Sequence, residues 1–214
     1  FQINEIREIE EMRNIKEKEL PIVGCPYMDS LKEKIDKNIS KEKNEKKTIL
    51  LAPSWGNNSI LNKYGKDFLK NLKETNYNII VRPHPQSKIS EKELLTELEK
   101  EFPNDDMWTW NYDSDNFECL NKADILISDF SGVIFDFALA FNKPIIYANA
   151  EFDYSPYDAY WSKNKSWREE TLPKIGKTLN KDDFNNIENI VNDLLKNKEY
   201  EIGREFARKE SWMY

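Results

Sequence analysis

Apolar runs closed by proline, glycine or a small polar residue recur along the chain. They alternate with stretches in which apolar residues return every three or four positions. The continuous runs predict buried strands. They are LPIVG (Leu20 to Gly24), TILLAPS (Thr48 to Ser54), YNIIVRPHP (Tyr77 to Pro85), MWTW (Met107 to Trp110), DILISD (Asp124 to Asp129) and KPIIYA (Lys143 to Ala148). The periodic stretches predict helices. The first carries Ile3, Ile6, Ile9 and Met12 on one face. Others cover Met28 to Ile39, Ile60 to Glu74, Asp115 to Ala123 and Gly132 to Asn142. Lys181 to Lys198 sets Phe184, Ile187, Ile190, Val191 and Leu194 on one face. A helix from Ser90 to Phe102 opens with Ser90 as N-cap and Glu93 three residues on, the spacing of a capping box. Ser40 to Lys47 reads as a charged surface loop.

Short apolar strands separated by helices predict an α/β fold with a mainly parallel sheet and helices on both faces. Ligands of such sheets bind beyond the carboxyl ends of the strands. The places to inspect are therefore Gly24 to Tyr27, Pro53 to Gly56, Arg82 to Pro85 and Ser128 to Gly132. The expected organisation is a linker helix over 1–19, a main domain over 20–198 and a terminal helix over 199–214. The terminal stretch EFARKESWMY (Glu205 to Tyr214) reads either as a helix crossing to another domain or as a frayed end. The chain opens on Phe1 inside a helical pattern, which reads as a piece of a longer protein.

Composition narrows the chemistry. The 214 residues carry a formal net charge of −7. No global field attracts nucleic acid or an anionic membrane, so phosphate binding has to be local. Two cysteines, Cys25 and Cys119, lie far apart, which argues against a disulfide framework and for a reducing cytoplasm. No apolar run approaches the ~20 residues of a membrane span.

Candidate chemistry gathers at the strand ends. In SDFSG, Ser128 and Asp129 close a strand, and Ser131 and Gly132 open a helix. A helix start offers free amides and partial positive charge, and glycine allows close approach of an anion. Ser131 reads equally as a plain N-cap. Asp136, one turn on, sits among apolar neighbours, where a carboxylate needs a partner: a substrate hydroxyl, a backbone amide or a basic group. His84, the single histidine, follows a strand between two prolines, with Arg82 two residues before it. It can act as general acid or base, or meet a phosphate oxygen with positive charge. Ser54, Gly56 and Asn57 belong to the same set of strand ends, and Trp55 either stacks on a base or covers the core. Neither a GxxxxGK[ST] loop nor a GxGxxG or GxSxG motif occurs. With one histidine, a structural zinc site is not expected.

VGCPYMD, ILLAPSW, VRPHP and ISDFSGVIFDFALAFNKPIIY, in this order and spacing, resemble the C-terminal half of the CDP-glycerol glycerophosphotransferases, bacterial enzymes that build teichoic acid chains. The resemblance covers about Leu20 to Ala150. It implies a Rossmann-like domain, the donor-nucleotide half of a GT-B fold, whose N-terminal acceptor domain lies outside this chain. It implies Pro53 and Ser54 beside the nucleoside, Arg82 and His84 on the diphosphate, Ser131 and Gly132 on phosphate, and Asp136 on a donor hydroxyl. His84 is the implied catalytic residue. Tyr27, Trp55, Gly56, Ser128 and Asp129 are further candidates.

At Tyr27 and Gly56 the family commonly carries a basic residue, so positive charge is missing from the donor side. CDP-ribitol or another nucleotide-linked group therefore stands beside CDP-glycerol as donor. The rival readings are a GT-B glycosyltransferase or epimerase using a UDP-sugar, and a non-catalytic nucleotide-binding domain. No cofactor or metal is expected for this domain, only the nucleotide-linked donor and a surface-polymer or lipid-linked acceptor. Nucleic acid is not expected as a partner. The expected location is the cytoplasm, with attachment at the inner face of the membrane through segments outside the chain. The isolated domain is expected to be inactive.

Overall fold

The computed structural model describes residues 2–38, 46–148 and 166–212. Six strands build one sheet: β1 (Thr48–Leu51), β2 (Asn78–Val81), β3 (Trp108–Trp110), β4 (Ile125–Ser128), β5 (Ile145–Ala148) and β6 (Lys177–Leu179). Their order is β3-β2-β1-β4-β5-β6, and every pairing is parallel. Leu51 pairs with Val81 on one side and Ile127 on the other, so β1, β2 and β4 end at one level. The order reverses between β1 and β4, where the loops after these strands depart to opposite sides and leave a crevice.

The helices are α1 (Gln2–Met12), α2 (Pro26–Lys37), α3 (Ile60–Lys73), α4 (Ser87–Ser90), α5 (Lys92–Glu101), α6 (Phe117–Lys122), α7 (Val133–Phe135), α8 (Trp167–Ile175), α9 (Ile187–Lys196) and α10 (Glu201–Ser211). Strand side chains alternate between faces. Ile49, Leu51, Ile79, Val81, Trp108 and Ile127 pack with Phe68 and Leu72 of α3, Leu98 of α5 and Val191 of α9. Leu50, Ala52, Leu126 and Ile145 pack on the other face with Leu31, Leu120, Ile134, Phe137 and Ala207. Both faces of the sheet are therefore covered by helices.

Several expectations change. Leu20 to Gly24 is not a strand. Pro21 has no N–H to give a ladder, and Ile22 and Val23 stand 64% and 74% exposed with no sheet neighbour. The capping box at Ser90 does not form. Ser90 belongs to α4, its hydroxyl donates to the Gln86 carbonyl, and α5 begins after Glu91 without a side-chain cap. The helix after Gly132 starts as α7 and continues as a π-helix over Asp136–Ala140. The Lys181 helix begins as a 3-10 turn, Lys181–Asn186, before α9. The sequence reading missed α8 and β6.

The terminal stretch is helical over Glu201–Ser211. It lies on α8 and the π-helix, with Arg208 donating to the Leu139 carbonyl and the Trp212 indole N–H donating to Asp29. Most of the Ser40 to Lys47 loop, Asn149 and Ala150, and the final Met213 and Tyr214 lie outside the described residues. Cys25 and Cys119 are both free thiols. Among the described residues no helix is long and apolar enough to cross a membrane.

Candidate functional site

The loops after four parallel strands open onto one cavity of about 710 Å³. Ala52 and Pro53 come from the end of β1, and Arg82 to Pro85 from the end of β2. Ser114, Asp115 and Asn116 follow β3, and Ser131 to Val133 with Asp136 follow β4.

Asp129 holds the centre together. Only 2% exposed, its carboxylate accepts the Ser54 amide at 2.9 and 3.1 Å, the Ile60 amide at 3.0 Å and the Phe130 amide at 2.7 Å. A buried charge is tolerable when its lone pairs are filled in this way. Ser128, fully buried, donates at 2.6 Å to the Ala52 carbonyl. These two residues, with Ser54, fasten the end of β4 to the β1 loop and the start of α3. None of the three lines the cavity, and Pro53 does.

Arg82 leaves β2 and donates to the Asn111 side chain and, at 2.8 Å, to the Asp113 carbonyl. The β3 loop thus fixes the guanidinium at the cavity wall. His84 Nδ1 accepts the Gln86 amide at 3.1 Å. That bond assigns the neutral tautomer, with the proton on Nε2. Burial lowers the His84 pKa from its ordinary value, against the opposing pull of Glu91 and Asp129. The ring is therefore a neutral hydrogen-bond donor at pH 7. Trp55, 47% exposed, sits with its ring 6.4 Å from His84. Gly56 has φ +93°, a conformation that excludes ordinary side chains, and its amide donates to Glu91 at 2.7 Å.

Ser131 and Gly132 form the elbow into α7, with no side chain capping the helix. Asp136, on the first turn of the π-helix, accepts the Tyr27 hydroxyl at 3.1 Å. Burial raises the Asp136 pKa, and the Tyr27 bond partly offsets this. Burial and the Asp136 charge push the Tyr27 phenol up to about 12. So the stretch from Gly24 to Tyr27, although not a strand end, still delivers one side chain to the crevice margin.

The structure brings Pro53, Arg82, His84, Ser131, Gly132 and Asp136 onto one cavity and leaves Ser54, Trp55, Gly56, Tyr27, Ser128 and Asp129 off its lining. The sequence reading missed Ser114, Asp115 and Asn116. Applying the strand-end rule to MWTW would have found them. Asp115 is held below the usual carboxylate range by the Phe117 amide and by Lys34. Among the described residues no group of three or more His, Cys, Asp or Glu comes together as a metal site.

Similarity to known proteins supplies the context. Residues 4–163 match the model of the family described as CDP-glycerol:poly(glycerophosphate) glycerophosphotransferase. The teichoic acid poly(glycerol phosphate) polymerase of Bacillus spizizenii is 38% identical over 111 residues, 48% of this chain and 26% of that protein. The minor teichoic acid biosynthesis protein GgaB of Bacillus subtilis is 28% identical over 167 residues, 66% of this chain and 17% of that protein. The chain thus spans about a quarter or less of the length of these relatives.

Among solved structures, the wall teichoic acid polymerase TagF superposes at TM-score 0.51 and 19% identity, over 86% of this chain and 42% of that one. Alr3699/HepE of Anabaena, solved in complex with UDP-glucose, gives 0.53 at 12% identity, over 86% and 49%. These likenesses establish the architecture, a Rossmann-like α/β sheet corresponding to one half of a GT-B fold. With three quarters of its length under the family model, the chain belongs to the CDP-glycerol:poly(glycerophosphate) glycerophosphotransferase family.

Proposed function

We propose that this chain is the donor-nucleotide domain of a transferase that moves glycerol phosphate, or a similar polyol phosphate, from a CDP-linked donor to a hydroxyl of a cell-surface polymer. The observation that carries this reading is the convergence of Arg82, His84, Ser131, Gly132 and Asp136 on one cavity at the strand-order reversal of a parallel sheet. Family membership and the names of the curated relatives support the choice of donor and acceptor.

In this reading the cavity serves the donor side of the reaction. An acceptor oxygen attacks the phosphorus that bears the polyol. A new P–O bond forms, the bridging P–O bond breaks, and CMP leaves with the electron pair. Catalysis of this kind is positioning plus neutralisation of charge. In this reading the Arg82 guanidinium and the His84 Nε2–H face the diphosphate. With Nδ1 occupied by the Gln86 amide, His84 donates to the leaving phosphate and does not take the acceptor's proton. The amides at Ser131 and Gly132 receive a phosphoryl oxygen. Asp136, oriented by Tyr27, accepts a polyol hydroxyl with its remaining lone pairs. In this reading the acceptor hydroxyl gives its proton to a base that this cavity does not supply.

Calorimetric titration of the chain with CDP-glycerol, CDP-ribitol, CMP and UDP-N-acetylglucosamine tests the proposal. Cytidine ligands should bind and uridine ligands should not, and His84→Ala should weaken binding of the diphosphates more than that of CMP. A preference for the uridine ligand would move the assignment to sugar transfer.

A further inference from the structure

Arg168 has no role in the site as described so far, yet its position is informative. It lies in the first turn of α8, which Ser166 caps with a full capping box to Glu169. A cation there faces the positive end of the helix dipole, a placement that local energetics disfavour. Instead of turning away, its side chain crosses to the β4 elbow. One guanidinium nitrogen donates to the Phe130 carbonyl at 3.1 Å, and the guanidinium carbon lies 5.4 Å from the centre of the Phe135 ring. Trp167 also packs on Phe135, ring centres 5.3 Å apart. These contacts use one of the five guanidinium N–H groups.

Arg168 does not itself line the cavity, but it stands next to Gly132, which does. A side-chain carbon placed on Gly132 would come within 3.9 Å of Arg168 Nη2. The guanidinium therefore borders the elbow at the range of an ordinary contact. An anion at the elbow needs Arg168 electrically. Arg82 is the one cation on the cavity lining, His84 is neutral, and Asp115 and Asp136 bring negative charge to the same cavity.

We infer that Arg168 is a binding residue for the phosphoryl groups of the donor, gripping them against the Ser131–Gly132 elbow from the outer side. The inference deepens the donor-site reading above and rests on it. Arginine suits the task because its planar fork meets two phosphate oxygens at once, which lysine does not. It also supplies a cation in a crevice that carries none at Tyr27 or Gly56.

The test is titration of the 214-residue chain and of Arg168→Gln, Arg168→Lys and Lys100→Gln with CDP-glycerol, inorganic pyrophosphate and cytidine. Melting curves establish that each variant is folded. Arg168→Gln should weaken CDP-glycerol and pyrophosphate by about ten-fold, the scale of a lost charge-assisted hydrogen bond. Cytidine, with no phosphate, should bind as before. Arg168→Lys should recover part of the loss, and Lys100→Gln, a charge removed elsewhere, should change nothing. The loss should shrink at high salt, because the site is open to solvent.

Equal affinity of wild type and Arg168→Gln for both anions would overturn the inference, as would an equal loss for cytidine. If the wild-type chain takes pyrophosphate but not CDP-glycerol, the donor reading fails, and Arg168 is judged on pyrophosphate alone. A chain that binds neither anion overturns both.

Discussion

A single buried carboxylate joins the segments that stand behind the crevice. Asp129 receives amides from three residues that belong to the β1 loop, the start of α3 and its own turn. Removing it leaves those donors in a buried place with nothing to bond, a loss of about 3 kcal/mol. Asp129→Ala should therefore lower the urea midpoint strongly and abolish donor binding, although Asp129 does not line the cavity. His84 and Asp136 give opposite pH signatures. The His84 pKa is lowered by folding, so its contribution to stability is complete above the ordinary value of 6.5 and fades as pH falls below it. Urea midpoints for wild type and His84→Gln should converge between about pH 7.5 and pH 5.5. The Asp136 pKa is raised by folding, so the carboxylate weakens the fold as pH rises above its ordinary 3.8. Asp136→Asn should melt at a higher temperature at neutral pH, with the gain vanishing in acid, and should bind the donor more weakly. A residue that costs stability and, in the proposed reading, holds substrate is a familiar exchange at active sites. From sequence, Asp136 was conspicuous because it interrupts an apolar helix. Asp129 and Ser128 stood out for being polar at a strand end, but only their hydrogen bonds show that they build the wall and do not face the ligand.

At the scale of elements, the legible parts were those whose burial is symmetrical. β1 and β4 are buried on both faces, so their sequences are unbroken apolar runs with a sharp polar end. Leu20 to Gly24 has the same look without the neighbours, and a short apolar run alone does not report whether a sheet edge is there to receive it. β6 was missed for the converse reason: Lys177, Thr178 and Leu179 form a three-residue edge strand with one buried side chain. The π-helix over Asp136–Ala140 has no signature in apolar spacing, and it falls at the candidate site, as π-type turns often do at functional sites. α10 makes a prediction of its own. Its Gly203 lies so close to α8 that an added carbon would sit 1.8 Å from the Lys174 carbonyl oxygen. Gly203→Ala should push α10 off α8 and cost about 1–3 kcal/mol, the range for overpacking, visible as a lower melting temperature. Because α8 carries Arg168, pyrophosphate binding should weaken in the same variant.

For the whole molecule, the sheet order β3-β2-β1-β4-β5-β6 is the frame from which the site follows. In the proposed reading, a chain of net charge −7 binds an anion by placing helix starts and a few cations at one seam, not by an overall field. The alternation of strands and helices made that frame legible before any coordinates, and the strand-end rule then pointed to the seam. Arg168 was not legible: it reaches the seam from a helix far along the chain, and only the folded arrangement shows how near it comes to Gly132. The most direct measurement is a crystal structure of the chain with CDP-glycerol bound. The account predicts the diphosphate lying between the Ser131–Gly132 elbow and the Arg82–His84 loop, with the polyol reaching Asp136. A nucleotide bound anywhere other than the seam between β1 and β4, or one bound there with its diphosphate turned to solvent, would contradict it.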